Sequence, residues 1–169
     1  MKQLSNALWS AITPKRSNSS LIPILQKISI FEGLNNKELN FVARILHQRH
    51  YHPKELIFRE GEAGNGMYII HHGTVVIYSE ESQTEYAKLT EGLFFGELSL
   101  VDGAPRSASA KCSRDTELFG LFKPDLFKII DQNPKAGTKI LLNLSKVLSE
   151  RLRNTSAQWL DLAQKAETK

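Results

Sequence analysis

Between Tyr51 and Phe122 the sequence is cut into short runs that read as strands, and this limits the fold more than any other feature. The runs ELIFRE, GMYIIHH, TVVIYSE, TEYAKLT, SASAKC and TELFGLF are separated by glycine, serine and asparagine turns. Strands at this regular spacing point to a small antiparallel barrel or sandwich. In EGEAGNGM, glycines 61, 64 and 66 are expected to take φ values that side chains resist, and Gly73 makes a further turn between two strands.

Helical patterns flank this region. One runs from Leu21 to Lys27 and is broken by FEGL; the next runs from Asn36 to about His47, with Leu39, Val42, Ala43 and Leu46 at helical spacing. Asn35 or Asn36 supplies its N-cap. After Phe122, Pro124 suits the first turn of PDLFKIIDQ, and Asn133-Pro134 ends that helix. A long helix follows, from about Lys135 to Lys165. Along it Leu141, Ser145, Leu148, Leu152, Thr155, Trp159 and Leu162 alternate spacings of four and three, the pattern of a coiled-coil seam. One domain offers too little surface to cover so long a helix, so a parallel dimer contact is expected. Thr155 is a polar residue in that seam where leucine would be more stabilising, which invites a second role. At the other end, Leu4, Leu8 and Ile12, with Trp9, suggest a short amphipathic helix packed on the domain or on a partner, and TPKRSNSS reads as a linker.

The 169 residues suit one domain, with 41% hydrophobic and 24% charged residues. A net charge of +4 allows nucleic acid as a partner without arguing for it. The single cysteine, Cys112, excludes an intrachain disulfide and reads as structural. No run reaches the ~20 apolar residues that span a bilayer, and the first twelve residues lack a signal peptide's uninterrupted apolar stretch. A cytoplasmic protein is therefore expected. His47, His50 and His52 lie where helix gives way to strand, so no metal set is expected from them. Walker, H-E-x-x-H, G-x-S-x-G and C-x-x-C signatures are missing, which argues against an enzyme.

The stretch FFGELSLVDGAPRSASA, Phe94 to Ala110, sets the Glu97 carboxylate and a single cation, Arg106, among mostly small and apolar residues. Gly96-Glu97 followed by LSLVDG can start a helical turn directly after a strand, where unpaired backbone N–H groups attract an anion. Arg106 can return over the same anion with planar, charge-assisted donors that suit a phosphate. The Ser107 hydroxyl and the Ala108 amide would add neutral donors. Glu97 would repel a phosphate but suits a ribose 2′-hydroxyl, the role an acidic residue has in dinucleotide sites. The loop alone leaves two readings open: an internal Glu97–Arg106 salt bridge, or a sugar–phosphate clamp.

FGELSLVDGAPRSASA closely resembles the phosphate-binding cassette of the cyclic nucleotide-binding domain family, F-G-E-L-[AS]-L, a short variable stretch, then P-R-[SAT]-A-[TS]. Phe95, Gly96, Glu97, Leu98, Ser99, Leu100, Pro105, Arg106, Ser107, Ala108 and Ser109 fill its fixed positions. Upstream, IFREGEAGNGMYIIHHGTVVIY is similar to the family's second to fourth strands, with Asn65 where aspartate is common; Ala110 stands where valine is usual. The resemblance covers roughly Leu21 to Leu162. It implies an α+β, mainly β fold: an antiparallel β-roll or jelly roll of about eight strands, flanked by N-terminal helices and a long C-terminal helix. Residues 1–20 would be a helix and linker, 21–165 the nucleotide-binding domain with its dimerisation helix at 135–165, and 166–169 a tail.

The ligand so implied is cAMP or cGMP. The amides of Gly96 and Leu98, with Ser99, would belong to the sugar–phosphate cradle. Glu97 would take the 2′-hydroxyl, and Arg106, Ser107 and the Ala108 amide would hold the cyclic phosphate. ERLRNTSAQWLDLA is similar to the dimerisation helix of bacterial catabolite activators, where a Thr-Ser pair reaches the adenine, threonine from the same subunit and serine from its partner. The matching residues are Thr155 and Ser156, which favours cAMP while leaving cGMP possible. In those activators the helix leads to a helix-turn-helix domain; here the sequence given stops at Lys169, so direct nucleic-acid binding is not expected. The expectation is a stand-alone cyclic-nucleotide receptor, homodimeric through its C-terminal helix, that signals to a partner protein. The alternatives are a dimerisation scaffold with a vestigial site, or a transcription-regulator-like protein lacking its own DNA-binding domain.

Overall fold

The computed structural model describes residues 21–167, so the amphipathic segment and linker expected over residues 1–20, and the last two residues of the tail, lie outside the described residues. Helix α1 (Ile22–Leu25) and a 3-10 turn (Ser29–Phe31) bury Leu25, Ile30 and Phe31. Helix α2 (Asn36–Ala43) is capped by Asn35, whose side chain accepts the amides of Lys37 and Glu38 at 2.9 and 3.0 Å while the Glu38 carboxylate accepts the Asn35 N–H at 2.8 Å. That reciprocal pairing satisfies donors the helix start would leave unpaired. The helix stops at Ala43 and does not continue to His47. His47–Tyr51 is strand β1 instead, paired along its whole length with the last strand of the roll.

The remaining strands are β2 (Leu56–Phe58), β3 (Gly66–His72), β4 (Thr74–Tyr78), β5 (Glu85–Thr90), β6 (Phe94–Phe95), β7 (Ser109–Cys112) and β8 (Thr116–Phe122). They form two antiparallel four-stranded sheets, in the orders β1-β8-β3-β6 and β2-β7-β4-β5. Ile70, Val75, Phe95, Ala110, Cys112 and Leu118 fill one core cluster. A larger cluster joins Met67, Ile69, Phe94 and Leu121 of the roll to the helices, through residues such as Phe31, Leu39 and Ile140. The eight strands and flanking helices make the α+β, mainly β roll expected from the sequence.

Of the glycines in EGEAGNGM, Gly61 has φ +77°, but Gly64 and Gly66 have no positive φ. They are small because other chain segments press on them. A Cβ on Gly64 would lie 2.2 Å from Ser99 Oγ, and one on Gly66 would lie 2.6 Å from the Leu121 carbonyl oxygen.

Helices α3 (Leu98–Val101), α4 (Lys123–Gln132) and α5 (Pro134–Glu167) complete the chain. The first part of α5 is fastened to the domain. It buries Ala136, Ile140 and Leu144. Asn143 Nδ2 donates to the carbonyls of Ile30 and Glu32 at 3.3 and 2.8 Å. Lys139 Nζ donates to both oxygens of the buried Glu38 carboxylate at 2.8 and 3.0 Å, and this bond holds Glu38 below the usual carboxylate pKa. From Ser149 onward every described side chain is exposed. Of the seam, Leu148 is half-buried, whereas Leu141, Ser145, Leu152, Thr155 and Trp159 face outward; the side chain of Leu162 lies outside the described ones.

Candidate functional site

The site is built on the chain between β6 and β7. Successive residues of a strand point to opposite faces, so Phe94 enters the core beneath the helices while Phe95 enters the interior of the roll. Gly96 follows with φ +76°, a conformation side chains resist, and turns the chain into the single turn of α3. The returning segment is zipped to the β2–β3 turn: Ala63 and Pro105 form an isolated bridge, the Arg106 amide donates to the Glu62 carbonyl at 2.9 Å, and the Gly61 amide donates to the Arg106 carbonyl at 2.8 Å. Ser109 Oγ accepts the Glu60 amide at 2.8 Å, extending the same seam.

This backbone holds two buried charges. Glu97 is 3% exposed and Arg106 is 6% exposed. They do not pair with each other among the described residues. Arg106 Nη1 donates to the Gly96 carbonyl at 3.0 Å, and the guanidinium carbon lies 4.1 Å from the centroid of the Phe58 ring. The absent side chain of Gly96 makes room for this, since a Cβ there would lie 2.5 Å from Nη1. Burial pulls the Arg106 pKa below its ordinary value, while Tyr68, Glu62 and Glu97 push it back up. A buried cation with no carboxylate partner is a costly arrangement unless an anion completes it.

Glu97 has a partner that the sequence does not announce. Arg151 of α5 donates from Nη1 to Glu97 Oε1 and from Nη2 to the Phe94 carbonyl, the latter at 3.3 Å. Its guanidinium carbon also sits 5.3 Å from the Phe94 ring centroid. The long helix is thereby attached to the carboxylate of the cassette. Thr155 lies one turn beyond, and its hydroxyl donates to the Arg151 carbonyl at 2.9 Å. Pairing across 54 residues leaves no local trace in the sequence.

The other expected site residues fall in three places. Gly96, Leu98 and Ser99 lie at the start of α3, with Ser99 buried and Leu98 exposed. Ser107 is exposed and Ala108 half-buried, directly after the buried Arg106. Thr155 and Ser156 are exposed on the projecting part of α5, where the Thr155 hydroxyl bonds the Arg151 carbonyl within the helix, and no hydrogen bond joins either to the cassette among the described residues.

Of His47, His50 and His52, the first and last lie near separate carboxylates. His47 Nε2 lies 3.1 Å from Asp125, and His52 Nδ1 lies 3.4 Å from Asp115. No group of three metal-ligating side chains forms among the described residues. Cys112 is buried in the roll, and that burial raises its thiol pKa to about 11 against an opposing hydrogen bond to Thr116, which fits a structural role. No helix of the described residues is long and apolar enough to cross a membrane.

Known proteins resemble this chain in sequence and in fold. The chain is 32% identical over 136 residues to the cyclic nucleotide-gated channel alpha-4 of Mus musculus, covering 73% of this chain and 24% of the channel. It is 33% identical over 136 residues to the cyclic AMP receptor protein of Thermus thermophilus, covering 79% of this chain and 61% of the receptor. It thus spans about a quarter of the one and under two thirds of the other. Among solved structures, a cyclic nucleotide-binding domain from Methylobacillus flagellatus superposes with a TM-score of 0.73 at 28% identity, over 85% of this chain and 82% of that one. The Thermus thermophilus catabolite activator protein gives 0.71 at 33% identity, over 80% and 63%. The family model of the cyclic nucleotide-binding domain matches residues 48–133, from β1 through α4. With that match over half of its length, the chain belongs to the cyclic nucleotide-binding domain family.

Proposed function

We propose that this chain is a receptor for a cyclic nucleotide, with cAMP preferred, and that it reports occupancy through the position of its C-terminal helix. The observation that carries the reading is Arg106: a buried guanidinium with no ion pair among the described residues, held in the loop that also buries Glu97. In this reading Arg106, Ser107 and the Ala108 amide hold the cyclic phosphate. The amides of Gly96 and Leu98, with Ser99, cradle the sugar–phosphate, and Glu97 accepts the ribose 2′-hydroxyl through the oxygen that Arg151 leaves unused.

Two points favour adenine. The Thr155 hydroxyl gives its proton to the Arg151 carbonyl, so its oxygen remains as an acceptor. An acceptor suits the 6-amino group of adenine and repels the 6-carbonyl of guanine. The Thermus thermophilus relative is itself a cyclic AMP receptor protein. Ser156 would serve the base bound by a second copy, in a homodimer joined through α5.

The signal follows from the Arg151–Glu97 pair, which ties α5 to the carboxylate that the ribose would engage. A ligand that binds the two positions of α5 unequally shifts their populations, and only by that difference in affinity. A partner protein would read the helix. Titration calorimetry with cAMP and with cGMP tests the reading. Saturable binding is expected for both, tighter for cAMP. Absence of heat and of any thermal shift at millimolar nucleotide would sink it and leave a dimerisation scaffold with a vestigial site.

A further inference from the structure

We propose that Phe58 is a positioning residue for phosphate recognition, its ring face fixing the plane in which the Arg106 guanidinium meets the anion. The inference rests on the cyclic-nucleotide reading of the site. Arg106 needs orientation because it lies buried with one side-chain hydrogen bond among the described residues, from Nη1 to the Gly96 carbonyl at 3.0 Å. A carboxylate would orient it too, but would compete with the phosphate for the same donors. An aromatic face attracts the cation without occupying its in-plane N–H groups. The Phe58 ring stands in that position, 4.1 Å from the guanidinium carbon.

The ring is itself held in place. It lies 5.8 Å from Phe95 and 6.2 Å from Tyr68, and those two rings stack at 5.7 Å with an interplanar angle of 26°. Aromatic clusters at these separations favour fixed mutual orientations. Phe95 immediately precedes the glycine whose carbonyl takes Nη1, so the ring cluster and the carbonyl belong to one short segment. The β2–β7 pairing also slips between Leu56 and Phe58, an irregularity of the kind that re-aims a side chain. An arginine fixed beforehand loses less side-chain freedom when the ligand arrives, which favours binding.

The test compares Phe58→Leu, which keeps apolar bulk but removes the π face, with Phe58→Tyr, which keeps the ring. Thermal melts establish that each variant folds. Phe58→Leu is expected to weaken cAMP binding about five- to tenfold, to leave adenosine, which lacks the phosphate, unaffected, and to have no further effect in an Arg106→Leu background. Phe58→Tyr is expected to restore most of the affinity. Nitrogen-15 NMR of the ligand-free proteins adds a readout independent of nucleotide: the Arg106 Nε–H resonance should carry a ring-current shift that Phe58→Leu abolishes. An unchanged Arg106 resonance overturns the proposal, as does an equal loss of cAMP and adenosine binding. If the wild type binds no cyclic nucleotide, the reading of the site falls, and the Arg106 resonance alone decides whether Phe58 holds the guanidinium.

Discussion

Gly96 answers to two constraints at once. Its φ of +76° resists a side chain, and the space a Cβ would fill belongs to Arg106 Nη1 at 2.5 Å. Gly92 supplies a control, with φ +84° and nothing within 4 Å of the place a Cβ would take. Alanine at either position strains the backbone by on the order of 1 kcal/mol. Both variants should therefore melt earlier than the wild type by similar amounts. Gly96→Ala should also push the guanidinium aside and weaken cAMP at least tenfold, while Gly92→Ala keeps its affinity; calorimetry that finds equal affinities would remove Arg106 from phosphate recognition. The cassette was legible in the sequence because its chemistry is contiguous: Gly96, Glu97, Arg106 and Ser107 stand in a fixed order that one loop can bring together. Phe58 was not, because a phenylalanine in a strand looks the same whether it fills a core or underlies a cation.

Strands whose residues alternate or run apolar were readable at the level of elements, and β3, β4 and β8 lie within the stretches expected for them. Two strands left no such trace. The residues of β1 are mostly exposed polar ones, HQRHY, and β1 exists because its backbone completes the ladder on β8. β6 is two residues long, too short for any period to show. The long helix was visible from its spacing, but the two attachments that divide it into a docked part and a projecting part were not. Lys139 meets Glu38 and Arg151 meets Glu97 across 101 and 54 residues. Removing the second attachment isolates its role. Arg151→Ala leaves a buried, unpaired carboxylate beside the proposed phosphate site, so cAMP affinity should fall several-fold, the fold of the roll should persist, and cAMP should no longer change amide exchange around residues 149–158 of α5. Thr155→Ala, which removes the proposed base acceptor, should weaken cAMP more than cGMP. Exchange that still responds to cAMP in Arg151→Ala would show that the helix reads the ligand by another route.

At the scale of the whole molecule, the described residues leave part of α5 uncovered. The projecting part of α5 exposes Leu152 at 68%, Trp159 at 72% and Leu160 at 61%, and no described residue covers them. Leu152 and Trp159 share the seam with Thr155, on a helix of 34 residues that is about 51 Å long. A second copy is the occupant that fits best, because a parallel pairing along the seam would bury these side chains in each other and bring Ser156 of one chain toward the base held by its neighbour. Charge placed in the seam should then prevent assembly without touching the roll. Sedimentation of the wild type should give a dimer, and the double variant Leu152→Glu, Trp159→Glu should give a monomer whose early part of α5 and both sheets still melt cooperatively. The monomer keeps Arg106, Glu97 and its own Thr155 but loses the neighbour's serine, so it should retain binding of cAMP at reduced affinity, with Ser156→Ala producing a similar reduction in the dimer. A wild type that sediments as a monomer with and without cAMP would leave the base to Thr155 alone and assign the exposed seam to another protein.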